Sequence, residues 1–236
     1  MKYRRLVNPE GLVPFQVRFK ESNLLILAER DLSSEAVERL VKLRGELDEY
    51  VERHPLFVKS LVPLPFDEEA PGVVKRMLKA CSVAGVGPMA AVAGAVAEEL
   101  GRFLVGFSKE VIVENGGDIY LRSSTERVVS VYAGSSPFSG RIGIRLPAGE
   151  WGVATSSGTV GHSLSFGRAD AAVVVSPSAA LSDAFATALG NRVEGEEDIE
   201  QALRWISDFE EQGVLGALLL VGGRMGAWGK IELVKL

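Results

Sequence analysis

The segment from Met89 to Leu104 consists largely of alanine, glycine and valine, and it limits the possible folds more than any other part of the chain. Its longest small and apolar stretch, residues 89–97, is too short to cross a bilayer, because a spanning helix needs about 20 residues. We predict a helix over 89–104 whose small side chains let it lie close to a sheet or another helix. Pro88 suits its first position, where a missing N–H would be unpaired anyway.

The other predicted elements follow in a mixed order. Apolar residues recur at helical spacing over 34–53, with Ser33 or Ser34 as a possible cap. Further helices are predicted at 73–81, 179–189 and 196–209. Runs rich in β-branched residues between turn signals predict strands at 15–20, 24–29, 109–114, 118–122, 127–133, 141–146, 151–155, 171–176, 215–221 and 230–234.

This order has helices in pairs between groups of sequential strands, which favours an α+β fold with antiparallel sheets over strict βαβ alternation. A pattern of strands, paired helices and strands occurs twice, around 15–122 and 127–235. It suggests an internal duplication, although no repeat is visible in the sequence itself.

Composition limits the class of protein. With 236 residues, 47% of them hydrophobic, the chain can build one or two domains. Its formal net charge of −5 argues against nucleic acid as a general partner. The single cysteine, Cys81, and the polar start of the chain, which lacks the apolar core of a signal peptide, lead us to expect a soluble cytoplasmic protein with no membrane association. Two histidines are too few for a histidine-rich metal site.

The segment 55–71 contains four prolines, at positions 55, 63, 65 and 71, and is expected to be an extended connection. The sequence alone leaves open whether it is a linker, a lid or a dimer arm.

The loop from Ser82 to Pro88 is a candidate anion site, because it leads into the N-terminus of the predicted 89–104 helix. Gly85 and Gly87 would let a ligand approach the backbone. The alternative is a simple helix kink at Pro88, with glycines kept for packing.

The turn Glu114-Asn115-Gly116-Gly117-Asp118 lies between two predicted strands. Asn-Gly is a strong hairpin signal, and a hairpin alone would explain it. The second glycine and the following carboxylate also make a bare corner that could accept a flat or anionic ligand.

The loop after the predicted strand 151–155 is rich in hydroxyl groups and glycine. Thr155, Ser156, Ser157 and Gly158 can form a nest of donors for an anion, and His162 follows as a candidate donor or general acid-base. The alternatives are a Ser/Gly-rich surface loop or a Ser-His-Asp hydrolase with Asp170. The hydrolase is disfavoured because the G-x-S-x-G elbow is missing.

Asp183 and Thr187 lie four residues apart on the predicted helix 179–189, so they share one helix face. A carboxylate and a hydroxyl side by side suit Mg²⁺, which takes a few protein oxygens plus water and phosphate. The alternative is that Asp183 interacts with the helix N-terminus and Thr187 with a carbonyl of the preceding turn.

In this order the four segments resemble the ApbE-type FAD:protein FMN transferases, and most closely the uncharacterised single-domain prokaryotic branch of that superfamily. The resemblance rests on Asn115–Ile119, Val153–Gly158, His162, Ala171–Ser176 and Ser182–Asn191, within residues 72–222. It implies a single domain over residues 1–236, divergent over 1–70, with a T-fold-like arrangement of antiparallel sheets backed by helices.

The same resemblance implies a site for FAD and Mg²⁺. Asp183 and Thr187 would hold the metal at the pyrophosphate. The Gly116-Gly117-Asp118 turn would lie at the same pocket, with Asp118 and His162 in catalytic roles. Asn115, the 155–158 loop, Gly85 and Gly87 would line it.

Two departures from the family pattern concern catalysis. The family continues its histidine as H-I-x-D-P, whereas here His162 is followed by Ser163-Leu164-Ser165-Phe166. The family's helix loop carries a lysine, and residues 84–89 contain none. Two hypotheses therefore stand: a Mg²⁺-dependent FMN transferase or FAD pyrophosphatase, and a non-catalytic module that holds a flavin, pterin or other nucleotide. A third interpretation treats the motifs as inherited scaffold. An acceptor protein would be unknown, and an oligomer is possible.

Overall fold

A computed structural model of the chain describes Val7, residues 10–159 and residues 167–236. Within these ranges the strands are Val13–Phe19 (β1), Ser22–Ala28 (β2), Val111–Asn115 (β3), Asp118–Ser123 (β4), Arg127–Ser130 (β5), Ile142–Leu146 (β6), Gly149–Ser156 (β7), Ala171–Ser176 (β8), Gly216–Val221 (β9), Arg224–Gly229 (β10) and Glu232–Lys235 (β11). Eight of them form one antiparallel sheet in the order β1-β2-β3-β4-β7-β8-β9-β10, and β11-β6-β5 form a second.

The described helices are Ser33–Arg53 (α1), Leu56–Lys59 (α2), Gly72–Ala84 (α3), Val92–Leu104 (α4), Ala179–Gly190 (α5) and Ile199–Ser207 (α6). Short 3-10 turns precede two of them, at Pro88–Ala91 and Glu196–Asp198. The longer helices pack on one face of the eight-stranded sheet, and the three-stranded sheet packs on the other. The α+β class with antiparallel sheets is therefore confirmed.

Strand β8 shows why this layering needs apolar residues on both sides of a strand. Ala172 and Val174 point into the core beneath the helices, whereas Val173 and Val175 point into the core shared with the small sheet. Successive side chains of a strand face opposite ways, so a strand covered on both faces has no polar alternation. The continuous apolar run at 171–176 follows from this position.

The repeated pattern seen in the sequence has a structural counterpart. In the eight-stranded sheet, two strands, a group of helices and two strands occur once as β1-β2-α1-α3-α4-β3-β4 and again as β7-β8-α5-α6-β9-β10. The halves join where β4 pairs with β7. The second half begins at Gly149 and not near residue 127, because β5 and β6 belong to the three-stranded sheet. Duplication itself stays a hypothesis.

Several predicted boundaries were wrong. The sequence indicated one final strand at 230–234, whereas the chain forms β10 and then β11, which pairs with β6 in the other sheet. β10 escaped prediction because glycine and arginine interrupt its apolar pattern. The proline-rich segment 55–71 contains the short helix α2, and the predicted strand 127–133 ends at Ser130.

No single helix in the described ranges has the length and apolarity to cross a membrane. Together, α3 and the segment Pro88–Leu104 meet that criterion, but they are bent by 105°. Most of their apolar residues lie in the core under the sheet.

Helix α4 makes its closest approach to α5 at Gly94. A Cβ atom on Gly94 would lie 2.3 Å from the carbonyl oxygen of Ala179 and 2.8 Å from the Cβ of Asp183. Backbone and Cβ atoms cannot move aside as a flexible side chain can, so only glycine fits. The close packing expected from the small residues of 89–104 is found at this contact.

Buried Glu98 joins α4 to the start of α5 one turn further along. Its Oε2 accepts hydrogen bonds from Ser178 Oγ at 2.7 Å and from the backbone N–H of Ala180 at 3.2 Å. Its Oε1 accepts from Arg76 at 2.7 Å and from Arg102 at 3.1 Å. A buried carboxylate is tolerated where it is paired and hydrogen-bonded in this way.

Two glycine-to-alanine substitutions in helices should have opposite effects. We predict that Gly94→Ala lowers the free energy of unfolding by about 1–3 kcal/mol, the usual range for overpacking. Gly45→Ala in α1, where a Cβ meets no atom within 4 Å, should raise it by up to about 1 kcal/mol through helix propensity. Urea unfolding of both variants measures the difference. If the two variants had equal free energies of unfolding, the contact between α4 and α5 at Gly94 would not be tight.

Candidate functional site

A pocket of about 370 Å³ lies at the C-terminal half of α5. Its walls come from α5, the start of α4 with the preceding turn, the first residue of β4, and α2 with the two residues after it. The described residues that line it are Val58, Ser60, Leu61, Val86, Gly87, Met89, Ala90, Val92, Ala93, Asp118, Asp183, Thr187 and Asn191.

Asp183 and Thr187 both line this pocket, one helical turn apart on α5. Asp183 Oδ2 accepts a hydrogen bond from the backbone N–H of Gly94 at 2.8 Å. Burial raises the pKa of Asp183 to about 7, although the N–H groups of Gly94 and Ala93 act in the opposite direction. This carboxylate therefore changes charge near neutral pH.

Asp118 is the first residue of β4, and its carboxyl group lines the pocket together with that of Asp183. Its Oδ1 accepts a hydrogen bond from the backbone N–H of Thr155 at 3.2 Å. Burial raises the pKa of Asp118 well above its ordinary value, and the neighbouring charges of Asp183 and Glu114 raise it further. The two aspartates thus disfavour each other's ionised form.

The Asn115–Asp118 corner is a tight hairpin between β3 and β4. Gly116 and Gly117 have φ angles of 70° and 112°, which only glycine adopts readily, and Asn115 pairs with Asp118 across the turn. Asn115 Nδ2 also donates to the carbonyl of Ala93 at 3.1 Å. Neither glycine is part of the described pocket lining, so their role here is the turn that places Asp118.

The loop between α3 and α4 has two glycines with different tasks. Gly85 ends α3 in the left-handed region, with φ of 75°, as a C-cap glycine does. Gly87 lines the pocket, and a Cβ on it would lie 1.9 Å from the carbonyl oxygen of Ser60. The first glycine thus ends a helix, and the second lets the proline-rich segment close one side of the pocket.

The loop 155–158 contributes to the pocket through Thr155, whose N–H holds Asp118. Ser157 Oγ lies 3.3 Å from Thr159 Oγ1 on the exposed side of the loop, and Gly158 packs against Gly167. Ser156, Ser157 and Gly158 are not among the described lining residues. His162 lies outside the described residues.

Sequence reasoning missed two contributions to the pocket. Val58, Ser60 and Leu61 form a wall, and the sequence left three possible roles open for their segment. The sequence did contain a signal for this wall. Apolar residues in a proline-rich connection, without helical or strand periodicity, indicate a segment that packs over another part of the molecule. Asn191, which directly follows α5, lines the pocket as well.

The described lining contains two carboxylates and two hydroxyls, those of Ser60 and Thr187, but no lysine or arginine. The described residues also hold no group of three or more His, Cys, Asp or Glu side chains placed to bind a metal. The nearby Cys81 thiol is buried, which raises its pKa and makes it a poor nucleophile. The chain could therefore supply a cation with two or three hard oxygen ligands, and the remaining coordination positions would be left to a bound ligand or water.

Solved structures with this arrangement define the class of fold. The chain resembles a mutant form of the flavin transferase ApbE from Vibrio cholerae, with a TM-score of 0.60 and 12% identity over 93% of this chain and 97% of that one. It also resembles the ApbE protein of Thermotoga maritima, with a TM-score of 0.58 and 13% identity over 91% and 96% of the two chains. The fold is therefore that of the ApbE-like proteins.

Sequence comparison identifies the family. The chain belongs to the family described as AbpE bacteria, which matches residues 4–227. A UPF0280 protein of Methanocaldococcus jannaschii is 41% identical over 93% of this chain and 92% of its own. Another, from Methanosarcina acetivorans, is 42% identical over 92% and 86%.

The raised pKa of Asp183 predicts how stability depends on pH. The unfolded chain releases this proton near pH 4, whereas the folded protein keeps it until about pH 7. Without metal, the free energy of unfolding should therefore decrease relative to that of Asp183→Asn as the pH rises from about 4 to about 7. Urea unfolding in EDTA across this range measures it, and a constant difference between the two proteins would contradict the prediction.

Proposed function

We propose that this chain is a Mg²⁺-dependent enzyme acting on FAD or a related flavin nucleotide, either as an FMN transferase or as an FAD pyrophosphatase. We further propose that residues 1–236 form one ApbE-like domain. The observation that carries the proposal is the pocket in which Asp118, Asp183 and Thr187 meet with no cationic side chain in the described lining.

The charge of this pocket supports a bound cation. Two neighbouring buried carboxylates ionise together only when positive charge compensates them. Mg²⁺ prefers oxygen ligands and is commonly held by one or two carboxylates plus substrate phosphates, which matches the donors that the chain supplies. Asp183 and Thr187 would hold the ion, and it would neutralise the charge of a pyrophosphate.

The rest of the pocket supports a flat ligand. The apolar residues Leu61, Val86, Met89 and Val92 line the same pocket as the carboxylates. A volume of about 370 Å³ is at the lower end of the range for small-molecule sites. The solved structures with this fold include proteins named flavin transferases, and a flavin nucleotide has both a flat ring and a phosphate group.

The chain's own groups suggest how the reaction proceeds. The P–O bond between the two phosphates of FAD breaks, AMP leaves, and the FMN phosphoryl group passes to water or to a hydroxyl of an acceptor protein. Positioning and charge neutralisation supply most of the catalysis in such transfers. Asp118, held by the N–H of Thr155, would orient the attacking hydroxyl and accept its proton. Burial raises the pKa of this carboxyl group, so a cation in the pocket would be needed to favour its ionised form. His162 stays a prediction from the sequence.

A second candidate function is a module that holds the nucleotide without cleaving it. The absence of a lysine from residues 84–89 favours it, as does the absence of any lysine or arginine from the described lining, because a phosphate would then have fewer positive partners. The two functions differ in whether AMP is released.

We predict that the full chain binds FAD in the presence of Mg²⁺ and releases AMP, and that EDTA prevents both. Asp183→Asn should weaken Mg²⁺-dependent FAD binding by at least about tenfold, since even groups that only orient metal ligands are often worth 10–100-fold. Flavin fluorescence measures binding, and chromatography of the nucleotides measures AMP.

Asp208→Asn provides the matched control, because Asp208 is exposed at the end of α6 and does not line the pocket. It should bind and cleave FAD like the unmodified chain. Retention of intact FAD would favour the binding module. No binding of any flavin nucleotide, with or without Mg²⁺, would reject both functions.

A further inference from the structure

The described part of the chain has a second cavity, of about 580 Å³, at the N-terminal end of α5. We propose that it binds a small organic anion with an apolar body. We call it the lysine cleft, and the residues that carry the argument are Phe66, Lys75, Lys79, Val83, Leu181 and Gln212.

The lysine cleft is separate from the pocket that contains Asp118 and Asp183. Helices α4 and α5 border both cavities, but no described residue lines both. Leu181 and Asp183 are two positions apart on α5, which turns them about 200° from each other around the helix axis. The same helix therefore presents one face to each cavity.

The charges of the cleft leave two lysines uncompensated. Glu98 and Glu99 also line the cleft, but Arg76 and Arg102 already bind Glu98, and Arg76 and Arg39 bind Glu99. The side chains of Lys75 and Lys79 form no ion pair or hydrogen bond within the described residues. Two positive charges therefore face the cavity without a protein partner.

The arrangement of these lysines favours an anion between them. They lie four residues apart on α3, where two like charges repel each other and weaken the helix. An anion held by both would relieve the repulsion. The chain as a whole has a net charge of −5, so this cleft is a local positive region on an acidic protein and would concentrate anions.

The apolar lining indicates that the ligand is more than an inorganic ion. Phe66 is 49% exposed at the cleft, so its ring is accessible to a ligand. Val83 and Leu181 are partly buried beside it. A cavity of about 580 Å³ is within the range for metabolite-sized ligands, so an aromatic or aliphatic body would cover these side chains while its acidic group reaches the lysines.

Anilinonaphthalene sulfonate tests this proposal, because it combines an aromatic body with one sulfonate and fluoresces when bound. We expect the full chain, in EDTA and without flavin, to bind it at one site. Lys75→Gln with Lys79→Gln should weaken binding about tenfold, as two half-exposed charge contacts of under 1 kcal/mol each would predict. Binding of phenylnaphthylamine, a similar molecule without the sulfonate, should not change.

Control variants distinguish an effect of the lost charge from an effect on the folding of the cleft. Lys42→Gln with Lys109→Gln removes the same charge from exposed positions that do not line the cleft, and it should bind the sulfonate like the unmodified chain. Lys79→Arg keeps the charge at an exposed position and should retain the affinity. Asp183→Asn should also leave it unchanged, which makes the result independent of the proposed flavin site.

Two outcomes would overturn the proposal. One is equal sulfonate affinity in the unmodified chain and the Lys75→Gln, Lys79→Gln variant. The other is an equal loss of affinity for the neutral analogue in that variant, which would show that the substitutions disturb the cleft and not its charge.

Discussion

The contact between α4 and α5 at Ala93 and Gly94 is the interaction on which the site depends. Gly94 has no side chain, so the backbone of α5 can approach closely, and the N–H of Gly94 reaches the carboxylate of Asp183. The carbonyl of the preceding residue, Ala93, accepts a hydrogen bond from Asn115 in the turn that places Asp118. One peptide group of α4, that between Ala93 and Gly94, thereby holds both carboxylate-bearing elements in position.

The two halves of the eight-stranded sheet both contribute to the pocket. Asp118 comes from β4 in the first half, and Asp183 comes from α5 in the second. Because the pocket lies between the two halves, both halves must fold before these two carboxylates come together. The ApbE-like fold persists at 12–13% identity to solved structures, because cores tolerate many substitutions that keep volume and polarity.

Carboxylates that are buried or partly buried among the described residues include two kinds. Glu98 receives four hydrogen bonds from Arg76, Arg102, Ser178 and the N–H of Ala180, and so acts as a joint between helices. Asp118 and Asp183 receive few donors, and burial raises their pKa values. Shielding such groups from water reduces the stability of the fold, and perturbed carboxylates in a pocket are a common property of functional sites.

Short-range patterns in the sequence determined several local features of this protein. Helical spacing placed Asp183 and Thr187 on one face, the Asn-Gly pair predicted the turn before Asp118, and the small residues of 89–104 indicated a close helix contact. These features depend on residues a few positions apart, so the printed sequence contains them. Only the tertiary structure decided that Ser60 and Leu61 close the pocket, that the carboxylates of Asp118 and Asp183 meet, and that β11 joins the small sheet. Those contacts join segments distant along the chain, and their energy comes from packing and burial that no local pattern encodes.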